Sequence, residues 1–354
     1  FASKLQGMQR RTFLASSLAS SATAALGGAS APPASVKFGI DLFSLRQQGW
    51  DAFQFLDYCA KQKAQVVHFS EIRFLGSLDD EHMRKVRARA EQHGIELEIG
   101  MRSICPTSKA FDPSQGTAEE QLARVIRAAS IAGSKLVRCF LGTSADRLGE
   151  VSLDQHISNC VKTLRAVRSR ALDAGIKIAV ENHAGDMQAR ELKMLIEEAG
   201  KDFVGACIDS GNPVWAIEDP HLTLEVLAPY VLTSHVRDSL LWNTEQGTAV
   251  KWTRMGEGNV NIADWVRKYR QLCPGRALSM EIIVTGPRIF SWRDPAFWDA
   301  YRKTPAWEFS RFLAYAEKGT APPEDPKVPK ELVAQRERED LEASIAYTRK
   351  LLAS

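Results

Sequence analysis

The stretch from residue 176 to residue 212 reads IKIAVENHAGDMQARELKMLIEEAGKDFVGACIDSGN. Two short apolar runs, IKIAV and FVGACI, enclose a longer amphipathic segment with helical character. The first run ends in Glu181-Asn182-His183, and the second ends in Asp209-Ser210-Gly211-Asn212. Short, nearly continuous apolar runs are typical of parallel strands that helices cover on both faces. The stretch therefore predicts two parallel strands joined by a helix, with polar groups where each strand ends.

The same pattern continues along most of the chain. Runs predicted as strands begin at Val36, Gln65, Ile95, Lys135, Ile176, Phe203, Tyr230 and Ala277. Helical stretches such as 119–132 and 154–174 lie between them, and Gly94, Gly133 and Gly175 lie where C-terminal helix caps are expected. Eight such units over about 250 residues predict an α/β fold, a (β/α)8 TIM barrel. A doubly wound open sheet is the competing architecture, but no G-x-G-x-x-G motif follows the first strand.

The N-terminal segment 1–34 differs from the barrel, which we predict for residues 35–285. It contains the pair Arg10-Arg11, then Phe13-Leu14, a mildly apolar run, and the small residues Ala29-Ser30-Ala31. This order resembles a twin-arginine export signal with its cleavage site, so we expect export to the bacterial periplasm. Residues 1–7 are interpreted as an upstream remnant, and an N-terminal tail without a targeting role is the alternative. The run is too short and too rich in Ser and Gly for a stable membrane span.

The C-terminal segment 286–354 is predicted to be a helical extension of the barrel. Residues 286–315 are dense in aromatic side chains, 321–329 are rich in proline, and a charged helix is predicted from about Lys330. The aromatic residues either pack the extension across the barrel or form the subunit interface of a homo-oligomer. The sequence leaves both alternatives open.

The charge balance limits the class of partner. The formal net charge is +3, from 46 Lys and Arg against 43 Asp and Glu. Residues 1–34 hold Lys4, Arg10 and Arg11 and no acidic residue, so the rest of the chain is balanced. Without a basic cluster in the body of the chain, nucleic acid is excluded as the main partner.

Each of the last four predicted barrel strands has an acidic residue or a histidine at or near its end. These residues are Glu181, Asp209, His235 and Glu281. Functional groups of such barrels lie at the carboxyl ends of the strands, so we expect these four at one rim. Three carboxylates and one imidazole suit one divalent metal, with Mn²⁺ favoured over Mg²⁺ or Co²⁺. The alternative is an ion-paired layer that only closes the rim.

Five motifs together resemble a known family. They are Ser44-Leu45-Arg46, Glu181-Asn182-His183, Asp209-Ser210-Gly211-Asn212-Pro213, His235-Val236-Arg237-Asp238 and Gly256-Glu257-Gly258. Over roughly residues 36–285 the chain resembles the sugar phosphate isomerase/epimerase family, the xylose-isomerase-like TIM barrels. The resemblance implies that Glu181, Asp209, His235 and Glu281 bind the metal. It also implies that Glu181 and Glu281 are catalytic and move protons on opposite faces of the substrate.

Further residues are candidates for substrate binding. His183 is a hydrogen-bond partner for a substrate hydroxyl, Arg237 for an oxyanion or carboxylate, and Glu257 could reach the site from its Gly-flanked turn. His68 and Asn212 complete the set, although His68 lies in an apolar run where a buried structural imidazole is the alternative. Ketose 3-epimerases of this family carry Glu and His where this chain has Met187 and Asn212. That departure weakens a specific ketohexose epimerase assignment.

We therefore expect a metal-dependent isomerase or epimerase that forms an enediolate from an unphosphorylated sugar or sugar derivative. No Gly-rich phosphate loop is evident in the sequence. The first alternative is a lyase or dehydratase of the same fold, for example one that eliminates the aglycone from a 3-oxo-glycoside. An alternative of another class is a non-catalytic sugar-binding barrel. An endonuclease-IV-type repair enzyme would need more histidines and a basic face.

Overall fold

The computed structural model describes residues 35–324, 326 and 328–353. The predicted export signal in residues 1–34 lies outside the described residues. The strands are β1 (Lys37–Asp41), β2 (Val66–Phe69), β3 (Glu96–Ser103), β4 (Leu136–Phe140), β5 (Lys177–Glu181), β6 (Val204–Asp209), β7 (Val231–Val236), β8 (Asp238–Asn243), β9 (Thr248–Thr253), β10 (Ala277–Met280) and β11 (Arg288–Phe290). The α-helices are α1 (Ala52–Lys61), α2 (Asp80–Gln92), α3 (Ala118–Ala132), α4 (Leu153–Ala166), α5 (Arg168–Asp173), α6 (Ala189–Ala199), α7 (Pro220–Leu227), α8 (Ile262–Leu272), α9 (Ala306–Lys318) and α10 (Val333–Ala353). Within these ranges no helix is both long enough and apolar enough to cross a membrane.

Eight parallel strands close into a barrel in the order β1-β10-β7-β6-β5-β4-β3-β2. All eight are the strands predicted from the sequence, and each begins within one residue of its predicted start. Their side chains are almost entirely buried because helices cover the barrel from outside. The TIM-barrel prediction is confirmed.

The helices follow the apolar periodicity, with one difference. The stretch 119–132 forms α3, but the stretch 154–174 is interrupted at Val167 and forms α4 and α5. Gly94, Gly133 and Gly175 have φ values of +66°, +77° and +64°. These left-handed conformations favour glycine and confirm the predicted helix caps.

A three-stranded antiparallel sheet in the order β11-β9-β8 was not predicted. It carries part of a second apolar cluster, which joins Leu241, Val250 and Phe290 of the sheet to Tyr301 and Phe312 further along the C-terminal segment. The aromatic residues of the extension therefore pack largely against this sheet, although Trp307 stays 56% exposed. A subunit interface stays a prediction.

The last helix, α10, connects the C-terminus to the barrel. Leu341 and Ile345 are buried in the main apolar core. Glu337 accepts a hydrogen bond from the backbone N–H of Gln47 at 2.9 Å, in the loop that follows β1. The predicted C-terminal helix is present, and one of its faces is buried rather than solvated.

Candidate active site

The structure brings Glu181, Asp209, His235 and Glu281 together at the carboxyl ends of β5, β6, β7 and β10. One side-chain donor atom from each lies within 4.8 Å of those of the other three. Glu181, Asp209 and His235 are fully buried, and Glu281 is 5% exposed. The predicted rim cluster is thus a compact and almost fully buried group of side chains.

Strand register explains why these residues meet. Glu181 and Asp209 are the last residues of β5 and β6, and Glu281 directly follows β10. His235 pairs in register with Asp209 on one side and with Ser279 on the other. Because parallel strands of a barrel end at one face, residues at equivalent positions converge there.

The imidazole of His235 has one nitrogen aimed at the carboxylates. Its Nδ1 atom lies 3.2 Å from an oxygen of Glu181 and 3.2 Å from an oxygen of Glu281. Among the described residues this buried atom has no hydrogen-bond partner. A buried polar atom without a partner is unusual, and a bound cation would satisfy it.

Two buried arginines neutralise the cluster. Arg138, on β4, contacts Glu181 and also donates to the carbonyl of Met101 at 3.2 Å. Arg237 donates to Asp209 Oδ2 at 2.5 Å and also contacts Glu281, and its guanidinium lies 4.4 Å from the ring centre of Trp252. Arg138 is 3% exposed and Arg237 is 2% exposed, so neither charge is screened by water.

The protonation of the cluster follows from burial and these charges. Burial alone would raise the pKa of Glu181, but the positive charges of Arg138 and His235 hold it well below its usual range. Burial raises the pKa of Asp209, although Arg237 acts in the opposite direction. The two carboxylates therefore occupy different electrostatic surroundings, with Glu181 the more firmly ionised.

An inner cavity of about 250 Å³ opens above the cluster. Its lining residues are Phe43, Ser70, Glu71, Arg102, Arg138, Phe140, His183, Ala184, Asn212, Trp215, Arg237, Trp252, Glu281 and Ile283. Trp215 and Trp252 stack on each other at 3.9 Å. Asn212 donates from Nδ2 to Glu181 Oε1 at 3.0 Å, so it orients the carboxylate from the cavity wall.

His183 presents a defined nitrogen to the inner cavity. Its ring stacks on Phe140 with centroids 3.7 Å apart, and its Nδ1 lies 2.6 Å from the carbonyl oxygen of Gly142. A carbonyl oxygen only accepts, so Nδ1 carries the proton. Burial lowers the pKa of His183 to about 4, which leaves the ring neutral near pH 7. Nε2 is then a hydrogen-bond acceptor.

An outer cavity of about 550 Å³ adjoins the inner one. Its lining residues are Phe43, Glu71, Ile72, Arg73, Met101, Arg102, Ser103, Ala110, Asp112, Gln115 and Gln121. Phe43, Glu71 and Arg102 line both cavities. A ligand that fills the inner cavity can therefore extend past these three residues toward β3 and its following loop.

Two of the candidate substrate residues do not reach the cavity. Glu257 is exposed, because the backbone N–H groups of its neighbours Gly256 and Gly258 donate to Asp238 at 2.9 and 3.0 Å. That arrangement turns the Glu257 side chain outward, so the motif holds Asp238 rather than a substrate. His68 is fully buried behind His235, with 2.9 Å between its Nδ1 and His235 Nε2.

The sequence did not single out Asp41 and Glu98, which flank His68. Register pairs Asp41 with His68 and His68 with Glu98 across β1, β2 and β3. All three lie within the barrel, and Glu98 accepts from Thr233 Oγ1 at 2.7 Å. The available signal was a charged or polar residue inside each of three apolar strand runs. The same signal marks Arg138 in the run LVRCF.

The donor set fits a divalent metal. Glu181, Asp209 and Glu281 supply carboxylate oxygens, and His235 supplies the partnerless Nδ1. Oxygen-rich sets with one imidazole suit Mn²⁺ or Mg²⁺ better than sulfur-preferring ions. A second geometric grouping joins Cys207 to Glu181 and His235, but burial raises the pKa of that thiol to about 11. The thiol is thus a poor ligand near neutral pH.

Comparison with known proteins agrees with this fold. The strands define a TIM barrel, and the family described as "Xylose isomerase-like TIM barrel" matches residues 44–298. The chain belongs to this family. Its members and structural neighbours named below are mostly sugar epimerases and related enzymes.

Three relatives illustrate the range. The 3-oxo-isoapionate decarboxylase of Pectobacterium atrosepticum is 23% identical over 183 residues, which cover 52% of this chain and 59% of the relative. A D-psicose 3-epimerase structure with D-fructose has a TM-score of 0.60 and 15% identity, covering 90% of this chain and 100% of that one. A 3-keto-D-glucoside 4-epimerase structure from E. coli has a TM-score of 0.53 and 15% identity, and the match covers 78% of this chain and 100% of that one. The chain spans a little over half the length of the curated relatives it matches.

Proposed function

We propose that the protein is a divalent-metal-dependent isomerase or epimerase that acts through an enediolate on an unphosphorylated sugar or sugar derivative. The observation that carries this proposal is the convergence of Glu181, Asp209, His235 and Glu281 below a cavity of sugar size. Mn²⁺ is the favoured ion, with Mg²⁺ or Co²⁺ as alternatives. The mixture of epimerases and a decarboxylase among the relatives is consistent with chemistry beside a sugar carbonyl.

A bound divalent metal would polarise the carbonyl and neighbouring hydroxyl of the substrate and stabilise the negative charge of an enediolate. The protein groups supply the proton transfers and the orientation. Glu281 is the one cluster carboxylate that lines the inner cavity, so it is placed to remove the proton next to the carbonyl. Glu181 is held by Asn212 and Arg138 and lies deeper, where it completes the pair of acid–base groups.

The cavity wall provides the orientation. Nε2 of His183 accepts a hydrogen bond from a substrate hydroxyl, because its other nitrogen is committed to Gly142. The stacked pair Trp215 and Trp252 offers an aromatic surface at the cavity wall. Aromatic faces with a few directed polar groups are typical of small-molecule sites.

The test uses the Mn²⁺-loaded protein in D₂O with a panel of ketoses and 3-oxo-glycosides. We expect deuterium at the carbon next to the carbonyl, and a loss of ~10²-fold or more in that exchange for Glu281→Gln. Glu257→Gln is the matched control, since it makes the same change on an exposed carboxylate of the same rim. Equal exchange in wild type and Glu281→Gln across the panel would contradict the proposal.

The outer cavity favours a second candidate, a lyase. Its volume of about 550 Å³ exceeds that of the inner cavity, so the site has room for a group attached to the reacting sugar. Elimination from a 3-oxo-glycoside uses the same proton removal but expels the aglycone instead of returning the proton. Release of the aglycone from an aryl 3-oxo-glycoside in the same assay would select the lyase, and exchange without release would select the isomerase or epimerase.

We also propose that the protein is exported to the periplasm by a twin-arginine signal in residues 1–34. The pair Arg10-Arg11 followed by Phe13-Leu14 supports this. A reporter fused behind residues 1–34 should reach the periplasm of a bacterium with this pathway, and the double change Arg10→Lys with Arg11→Lys should retain it in the cytoplasm. Export that persists in the double variant would count against the proposal.

A further inference from the structure

The Nε2 atom of His235, on the opposite side of the ring from Glu181 and Glu281, has one close partner among the residues that the structure describes. His235 Nε2 lies 2.9 Å from Nδ1 of His68, and the two ring centres are 4.8 Å apart. Both rings are fully buried. In a hydrogen bond between two neutral imidazoles one nitrogen donates and the other accepts, so the tautomer of one ring determines that of the other.

Among the described residues, His68 alone lies within hydrogen-bond distance of His235 Nε2. Asp41 Oδ2 lies 3.5 Å from His235 Nε2, which is beyond the usual range for an N–H···O hydrogen bond. The neighbours of His68 Nδ1 on the other strands are also more distant, with Asp41 Oδ2 at 3.8 Å and Glu98 Oε2 at 3.5 Å. His68 and His235 are therefore each other's partner at this position.

The direction of the hydrogen bond follows from the role of His235. A histidine that ligates a metal through Nδ1 has its lone pair there and carries its proton on Nε2. That proton has His68 Nδ1 as its acceptor, so His68 must carry its own proton on Nε2. In the opposite arrangement His68 Nδ1 would donate to His235 Nε2. The single ring proton of a neutral His235 would then be on Nδ1, where it would block the metal.

We propose that His68 is a positioning residue that holds His235 in the tautomer required for metal binding. The inference rests on the proposed function, because it takes His235 as a metal ligand. It also replaces the expectation that His68 contacts the substrate. His68 acts through His235 and touches neither the inner nor the outer cavity.

Two substitutions distinguish the effect of the hydrogen bond from the effect of packing by the His68 ring. In His68→Asn the amide oxygen stands near the position of Nδ1 and accepts, whereas His68→Leu fills the space without an acceptor. We expect the Kd for Mn²⁺, measured by calorimetric titration, to rise about 10- to 100-fold in His68→Leu and to stay within a few-fold of wild type in His68→Asn. Thermal unfolding of both variants without metal checks that they fold.

A spectroscopic measurement on the wild type needs no variant. Long-range ¹H–¹⁵N correlation spectra of the Zn²⁺-loaded protein distinguish the protonated from the acceptor nitrogen of each histidine. We expect His68 to carry its proton on Nε2 and to accept at Nδ1. A proton on His68 Nδ1 would overturn the inference.

The outcomes also distinguish this inference from the function it rests on. If wild type and His68→Leu bind Mn²⁺ equally, or if both variants lose affinity equally, the positioning role is overturned and the metal site stands. If wild type binds no divalent metal in the titration, both the positioning role and the proposed metal-dependent function are overturned.

Discussion

At the scale of single residues, the charge balance of the site depends on Arg237. Its guanidinium lies between Asp209 and Glu281, and its aliphatic stem passes against Gly211, where a Cβ atom would come within 2.3 Å of Arg237 Cγ. The glycine of the Asp-Ser-Gly-Asn motif is therefore required for the arginine to reach its place. The site is built to hold a positive charge next to two of its carboxylates.

This arrangement predicts that Arg237→Gln destabilises the metal-free protein and increases the stabilisation that added metal provides. Without metal, the change leaves two carboxylates buried side by side, and we expect a loss of about 3–5 kcal/mol in the free energy of unfolding. Added Mn²⁺ should restore more stability in Arg237→Gln than in wild type, because it supplies the missing positive charge. Denaturant unfolding with EDTA and with Mn²⁺ measures both effects.

Arg46→Gln is the control, since Arg46 pairs with Glu337 at 3.1 Å on α10, a partner outside the cluster. Its stability loss should be the same with and without Mn²⁺. The same metal response in Arg237→Gln and wild type would show that Arg237 does not balance the cluster.

Residue roles were predictable from the sequence only where strand ends alone determine them. Glu181 and Asp209 end their strands, so the barrel itself places them at the rim. Glu257 and His68 depend on tertiary contacts that no local pattern shows. The first is turned away by the hydrogen bonds of its neighbours to Asp238, and the second is directed into the barrel by the register of β2.

At the scale of elements, the N-terminus of α6 depends on a buried carboxylate from another segment. Both oxygens of Glu218 lie 3.0 Å from the backbone N–H of Ala189, the first residue of α6, and Thr223 Oγ1 donates to it at 2.6 Å. Burial raises the pKa of Glu218 to about 8. The helix that connects β5 to β6 is thus held by a group that titrates in the physiological range.

The raised pKa predicts how stability changes with pH. The folded protein keeps the proton on Glu218 up to about pH 8, whereas the unfolded chain loses it near pH 4.5. This group therefore lowers the free energy of unfolding as pH rises from about 4.5 to about 8, by about 1.4 kcal/mol per pH unit at most. Above pH 8 it adds no further slope.

Glu218→Gln should remove the contribution of this carboxyl group to the pH dependence of the free energy of unfolding. The stability of the variant relative to wild type should therefore increase from pH 5 to pH 8. Urea unfolding at several pH values measures the difference. Glu245→Gln, on an exposed turn, is the control for the loss of one carboxyl group. A difference between Glu218→Gln and wild type that does not vary with pH would contradict the raised pKa.

Element prediction succeeded for the barrel strands, even for those of four residues, and failed for the antiparallel sheet. The eight barrel strands lie between amphipathic helices, so their apolar runs are unambiguous. Strands β8 and β9 form a hairpin that is separated from β7 by a single residue, so no helical segment marks where β7 stops. Strand β11 has three residues and pairs with β9 from beyond α8 and β10, which local patterns do not reveal. Packing against α9 stabilises these strands, and that packing becomes visible only in three dimensions.

At the scale of the whole molecule, α10 links the C-terminus to two loops at the rim. Arg254, just after β9, pairs with Asp340 at 2.6 Å, and Ser344 Oγ accepts from the N–H of Met255 at 3.2 Å. The ring of Tyr347 lies so close to Gly256 that a Cβ atom there would approach it to 2.4 Å. The C-terminal helix thus supports the Gly-Glu-Gly turn from behind.

The burial of α10 predicts a large contribution to stability. Leu341 is fully buried in the main core, so Leu341→Ala should lower the free energy of unfolding by about 2–5 kcal/mol. Leu332→Ala, at a position 46% exposed, should change it by less than about 0.5 kcal/mol. Urea unfolding compares the two, and equal small losses would mean that α10 is not part of the cooperative fold.

Under the proposed function, the two adjoining cavities predict that substrates are selected by size. Ala110 lines the outer cavity but not the inner one, so Ala110→Trp fills the outer space and leaves the rim cluster of Glu181, Asp209, His235 and Glu281 untouched. If a substrate extends from the inner cavity into the outer one, the indole occupies only the space of the group that is attached to the reacting sugar. We expect kcat/KM for a 3-oxo-glycoside to fall at least ~10-fold, while that for the free 3-oxo-sugar stays unchanged.

Ala145→Trp provides the matched control, because Ala145 is exposed on the loop after β4 and lines neither cavity. It should leave kcat/KM for both substrates at the wild-type value. An equal fall for both substrates in Ala110→Trp would indicate a general distortion of the barrel mouth. An unchanged kcat/KM for the 3-oxo-glycoside would mean that the group attached to its sugar lies elsewhere. The outer cavity would then have no part in distinguishing a lyase substrate from an epimerase substrate.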